Sequence, residues 1–200
     1  MTIVKSGMLG CFVLLCGLMF LGACTSTVPE GKPLPELTFV HMGSFPVNVA
    51  RIDVENLYDA GSDPKDMSSS FPSPPDITLR RYAESRLQAV GAEGTLKFVI
   101  EEASVHHSLV QPAGKFTTWM GVHRKDLYEV FMKIRMYEVA ADGQEGTHSI
   151  LNMKRSIAIP QHYSVADKEL EKFKFLETMM QDVDGAVTGA LRDKMNLSDI

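Results

Sequence analysis

Asp126-Leu-Tyr-Glu-Val-Phe-Met-Lys-Ile-Arg-Met-Tyr-Glu-Val-Ala140 is the stretch whose reading decides the fold. Tyr128, Val130, Met132, Ile134 and Met136 fall on alternate positions, against Glu129, Lys133 and Arg135 between them. Successive side chains of a strand point to opposite faces, so this is a long strand with one buried and one solvated side. Such a strand calls for antiparallel neighbours and a layer that covers the apolar side.

The flanking sequence supplies both. In Thr95 to Val105, Leu96, Phe98 and Ile100 oppose Lys97 and Glu101. Asp142-Gly143 is a tight hairpin signal. Beyond it, in Thr147 to Ile159, Leu151, Met153, Ile157 and Ile159 alternate with Asn152, Lys154 and Ser156, until Pro160 ends the strand. Ser73-Pro-Pro-Asp76 opens a helix with a serine cap, an early proline and an acid. Leu79, Ala83, Leu87 and Val90 recur along it at helical spacing, and Gly91 is the expected stop. Ser164-Val-Ala-Asp167 opens a second helix in the same manner, with Leu170, Phe173, Leu176, Met180, Val183, Val187 and Leu191 as its apolar stripe. Gly185 and Gly189 on this helix predict close packing against the sheet, since the charges between Lys168 and Asp184 exclude a membrane span.

Phe45 to Val54 is strand material whose alternation changes phase near Ala50-Arg51, the mark of a bulge or a short break. Leu57 to Pro75, rich in Asp, Ser, Pro and Gly, reads as a long mobile loop. The predicted order is β-α-β-β-β-α. It describes an α+β sandwich, an antiparallel sheet with two helices packed on one face.

The N-terminus carries a different message. Lys5 precedes an apolar run from Met8 to Phe20, and Leu21-Gly22-Ala23 places small residues before Cys24. A charged start, a short apolar core and a small-residue cleavage site define a secretory signal. The run falls short of the ~20 apolar residues that cross a bilayer. Leu21 to Cys24 resembles the lipobox of bacterial lipoproteins, in which the cysteine sulfur receives a diacylglycerol and the chain is cut just before it. That resemblance implies removal of residues 1–23, with Cys24 as the first mature residue bearing three acyl chains, palmitate among them. At about 0.8 kcal/mol per buried CH2, several chains hold a protein firmly where one binds reversibly. Thr25, rather than an aspartate, follows Cys24. By the same resemblance the expected address is the periplasmic face of the outer membrane. Residues 24–36, with Pro29, Gly31, Pro33 and Pro35, read as the lipidated cysteine and a flexible tether, and residues 37–200 as one periplasmic domain.

The whole chain has 20 basic and 25 acidic residues, a formal charge of −5, and loss of the signal removes one more positive charge. An acidic balance argues against nucleic acid as partner. Cys11 and Cys16 depart with the signal and Cys24 is acylated on this reading, so the mature domain is expected to hold no disulfide. Membrane contact through the acyl chains and an apolar core must then do the anchoring and the stabilising.

Candidate chemistry is sparse. His106-His107 are neighbours on a strand end and face opposite sides, with His123 beyond a hairpin loop, so no metal set is expected. Glu101 and Glu102 are expected to diverge in the same way. The chain has no Gly-x-Ser-x-Gly, His-Glu-x-x-His or glycine-rich phosphate loop. The expectation is a protein that is not an enzyme and takes no cofactor. Phe116, Trp119 and Met120, between Gly114 and Gly121, are the candidate partner contacts. They form either an exposed contact or a hairpin folded over the sheet edge.

Ile77 to Val105 as helix into strand, Leu127 to Val139 with its Asp-Gly turn, and Val165 to Met195 resemble the ABC-transporter auxiliary lipoproteins in order and kind. The lipopolysaccharide-assembly lipoproteins share a related plan. The resemblance implies an accessory or adaptor subunit of envelope lipid transport or outer-membrane assembly, with envelope transport or assembly proteins as partners and no catalytic residues. The alternative is a lipid or small-molecule binding module with its pocket between helices and sheet.

Overall fold

The computed structural model describes residues 36–111 and 124–198, all within one compact unit, Leu34–Ile200. The strands are β1 (Phe45–Val47), β2 (Arg51–Asn56), β3 (Leu87–Ala89), β4 (Thr95–Glu102), β5 (Val105–Val110), β6 (Lys125–Val139) and β7 (Glu145–Pro160). The helices are α1 (Pro75–Arg86) and α2 (Val165–Gly189), the latter running into a π-helical turn at Ala190–Lys194.

Strand β6 is the axis of the sheet. Tyr128, Val130, Met132, Ile134 and Met136 are all buried, as the alternation predicts. One flank of β6 pairs with β7 along nearly its whole length, from Lys125↔Pro160 to Val139↔Glu145. The other flank pairs with β4 over its second half and with β5 over its first. Leu96, Phe98 and Ile100 of β4 join Leu79, Tyr82 and Ala83 of α1 and Leu176, Met180, Val183 and Val187 of α2 in one core, on the same side of the sheet. Burying such a side chain completely stabilises by about 1.5–3 kcal/mol, so this cluster dominates the fold. The sheets do not close into a barrel, and the architecture is the expected α+β sandwich.

The details differ from expectation in four places. The sheet is not wholly antiparallel: β2 lies parallel to β4, from Arg51↔Thr95 to Asn56↔Ile100. Helix α1 is the crossover that makes this geometry, returning the chain to the start of the sheet before β4 begins. The phase change near Ala50 separates β2 from β1, which pairs instead with β3 in a small parallel sheet of its own.

Helix α1 starts one residue later than predicted, with Pro74 at the cap position and no side-chain cap, and it ends at Arg86. Leu87 and Val90 therefore leave the helical stripe. Gly91 serves a different purpose from a helix stop: a Cβ there would lie 2.6 Å from the backbone of Asn48 and Val49. Glycine is needed because two chain segments touch.

Helix α2 begins as predicted, with the Asp167 N–H donating to Ser164 Oγ at 3.2 Å. Leu176, Met180, Val183, Val187 and Leu191 of the predicted stripe are buried, but the stripe is wider and starts later than expected. Phe175 and Met179 are buried while Leu170 is exposed. A Cβ at Gly185 or Gly189 would meet nothing within 4 Å, so these glycines do not mark close packing. Among the described residues no helix is long and apolar enough to cross a membrane.

Leu57 to Pro75 is docked rather than loose. The Met67 N–H donates to the Val105 carbonyl at 2.8 Å, the Leu57 N–H to Ile100 at 2.9 Å, and Phe71 is buried edge-on against Tyr128.

Candidate functional site

The docked segment forms one wall of a cavity of about 560 Å³ on the solvent side of the sheet. Asp66 is the residue that builds it. Its carboxylate accepts from the Val105 N–H at 2.8 Å, the Ser68 N–H at 3.0 Å and Ser68 Oγ at 2.8 Å, and it also receives the Tyr58 hydroxyl. Burial would raise the Asp66 pKa, but these donors outweigh it and hold the carboxyl below its ordinary value. Burial, with Asp66 beside it, pushes the Tyr58 hydroxyl well up, so it stays a proton donor.

Glu101 and Glu102 form the floor. Their expected divergence fails because the β4–β6 register slips between Ile100 and Glu102. A bulge of this kind re-aims the side chains that follow it, and both glutamates line the same cavity. They are not a free pair. Glu101 takes Lys133 at 2.9 Å and Arg135 at 2.6 Å, and the hydrogen bond from Lys133 holds its carboxyl below the usual range. Glu102 accepts from Ser104 Oγ at 2.8 Å.

The adjacent histidines part as expected. His106 lies against the Phe131 ring on the solvent side, with Nε2 3.8 Å from Asp63. His107 turns to the core side, against Tyr128 and 3.2 Å from Asp126. Among the described residues no three His, Cys, Asp or Glu side chains are grouped to hold a metal; His123 lies outside them. The hydroxyls and carboxylates that line the cavity are engaged with one another, Tyr58 with Asp66 and Ser104 with Glu102.

Asp126 organises a second cluster at the far end of the sheet. It takes Lys168 of α2 at 2.9 Å, Gln161 at 3.2 Å and His107 at 3.2 Å. Burial opposes the charge, yet Lys168 and the other donors leave the carboxyl depressed. This carboxylate pins the start of α2 to the ends of β5, β6 and β7. Exposed apolar side chains gather at that end: Leu109 and Val110 close β5, and Tyr163, Val165 and Leu170 surround the start of α2. Val110, Lys125 and Pro160 lie abreast on three adjacent strands. This grouping carries no separate signal in the sequence, because its members lie far apart in the chain.

Leu21, Gly22, Ala23 and Cys24 lie outside the described residues, as do Phe116, Trp119 and Met120. Val110 and Lys125, the strand residues described on either side of the last three, are paired with each other.

No protein family's profile matches the chain, and no curated protein does. Among solved structures it is similar to a minor lipoprotein from Acinetobacter baumannii, with 12% identity and a TM-score of 0.35 over 73% of this chain and 92% of that one. It is also similar to the rare lipoprotein B from Shewanella oneidensis, with 11% identity and a TM-score of 0.34 over 73% and 93%. Scores this low leave function to be read from the chain itself.

Proposed function

We propose that this chain is a lipid-anchored, non-enzymatic envelope lipoprotein that acts by protein contact, as an accessory or adaptor subunit in lipid transport or outer-membrane assembly. The anchor rests on Leu21-Gly-Ala-Cys24 after an apolar run. The mode of action rests on one observation: the layers close on a filled core, while apolar side chains stand exposed at one end. Tyr82, Phe98, Ile100, Met132, Ile134, Leu176 and Met180 are solvent-excluded where helices and sheet meet, which favours a contact surface over a pocket between the layers. Leu109 and Val165, 52% and 79% exposed, offer a partner apolar surface at this end. The outer-membrane address, and envelope transport or assembly proteins as partners, belong to the same proposal.

The test is a crosslinked pull-down of the lipidated full chain from envelopes, read by mass spectrometry for proteins and lipids. Recovery of transporter or assembly subunits supports the adaptor. Recovery of a stoichiometric lipid with no protein overturns it in favour of a lipid-binding module.

A further inference from the structure

The docked segment covers only the beginning of the outer edge of β5. The Val105 N–H donates to Asp66 at 2.8 Å, and the Val105 carbonyl accepts from the Met67 N–H at 2.8 Å. A turn closed by the Asp66 N–H on the Asp63 carbonyl, at 3.0 Å, takes the segment off the edge. Backbone groups of a paired strand alternate in direction, so Leu109, four residues beyond Val105, also turns its N–H and carbonyl outward. Among the described residues no strand pairs with it there.

Charge around this edge is uneven. Elsewhere on the sheet the cations are held by carboxylates: Lys97 by Asp53 and Glu55, Lys133 and Arg135 by Glu101, Lys154 by Glu129. Lys65, Arg124 and Lys125 are exposed, and none enters an ion pair with a described residue. All three stand around the end of β5. Lys125 is the β6 partner of Val110, Arg124 precedes it, and the Asp66↔His106 bridge sets Lys65 beside His107. The carboxylates there are already engaged: Asp126 with Lys168, Asp167 with Ser164, Asp63 with the Lys65 N–H. The exposed Leu109 and Val110 thus lie among uncompensated positive charges.

We infer, resting on the contact function proposed above, that this edge takes an extended acidic segment of the partner protein. The segment pairs with β5 at Leu109 and sets its carboxylates against Lys65, Arg124 and Lys125. Charge selects its sign. Three free cations around an apolar edge, on a chain of net charge −5, draw an acidic segment and reject a basic one. The open backbone selects a peptide over a lipid headgroup. A peptide offers Leu109 both an acceptor and a donor, as an added strand does, whereas an ionised phosphate only accepts. Apolar side chains of the same segment cover Leu109 and Val110.

The test uses the full chain in its own envelope, with a photo-crosslinking residue at Val110 and the crosslinked peptide sequenced by mass spectrometry. A peptide carrying Asp or Glu beside apolar residues is expected. Joint replacement Lys65→Glu, Arg124→Glu and Lys125→Glu should lower the adduct yield several-fold, and added salt should lower the yield of the unaltered chain. Arg80→Glu with Lys194→Glu changes exposed, unpaired cations elsewhere and should leave the yield as it was. The three single reversals, each with a smaller loss, keep the comparison open if the joint variant unfolds. A protein adduct whose yield survives the reversals, or a crosslinked peptide without carboxylates, would overturn the inference and leave the contact function standing. Lipid adducts alone, or no adduct from Val110, Leu109 or Val165, would overturn both.

Discussion

The Tyr82 hydroxyl of α1 donates to Asp184 Oδ1 of α2 at 2.9 Å, and Arg86 Nε reaches the same oxygen at 2.9 Å. This carboxylate ties the two helices together above the sheet. Burial, with Asp184 next, pushes the Tyr82 hydroxyl far above its ordinary value, so it remains protonated and donating.

Removing Asp184 leaves the Tyr82 hydroxyl and Arg86 Nε without this acceptor, while Arg86 Nη1 keeps the Gly43 carbonyl at 3.1 Å. Asp184→Ala should destabilise the domain by about 3–5 kcal/mol, the cost of breaking a buried pair from one side. Asp184→Asn keeps an acceptor oxygen and should cost less. Urea unfolding measures both. Equal stability of Asp184→Ala and the unaltered chain would remove this tie from the account.

Asp66 and Asp126 both have carboxyl pKa values held below the ordinary aspartate value, against the opposing effect of burial. A depressed folded-state pKa gives stability that is complete above the unfolded value of about 3.9 and is lost as pH falls through the folded one. Unfolding free energy should therefore decline in acid below that value. Asp66→Asn and Asp126→Asn should each reduce the slope of the decline while lowering stability near neutrality. Unfolding followed from pH 7 to pH 2 checks the sign.

Much of this architecture was legible and some was not, for identifiable reasons. The alternation in β6 marked its buried face residue by residue, and Ser164 with Asp167 marked the start of α2, because each signal is local. The parallel union of β2 with β4 was hidden, since a strand's alternation reads the same in both directions; the intervening helix was the available clue. The bulge at Glu101 was invisible to a strict period of two, and this is why Glu101 and Glu102 were expected to part. The loop from Leu57 to Pro75 had the composition of a mobile connection. Tyr58 and Phe71, two aromatics among its polar residues, were the signal that it docks. The apolar end around Leu109 and Val165 depends on tertiary placement, which no short stretch encodes.

Glycines that look alike in the sequence should respond in opposite directions. Gly185 lies inside α2 with open space where a Cβ would stand, so Gly185→Ala should stabilise by up to about 1 kcal/mol. Gly91→Ala places a methyl 2.6 Å from backbone atoms of Asn48 and Val49, and should destabilise. Thermal melts of the two variants decide the matter, and a lowered melting temperature for Gly185→Ala would mean that the site is closed.

Ser149 Oγ is buried without a hydrogen-bond partner, on the core side of β7 opposite Met136. Removing an unsatisfied buried hydroxyl relieves a desolvation cost and leaves only a small void. Ser149→Ala should raise stability by about 1 kcal/mol. A loss of that size in chemical denaturation would show that the hydroxyl is satisfied in solution.

The central claim is that the protein works through contacts made at the Leu109 and Val165 end of the sheet. The most direct measurement places a photo-crosslinking residue at Leu109, at Val165 and, as a control, at Lys97 on the opposite face of the sheet, in the full chain in its own envelope. The account predicts discrete adducts with the same envelope protein from Leu109 and Val165, and none from Lys97. Adducts from Lys97 alone, or lipid adducts from all three positions without a protein, would contradict it.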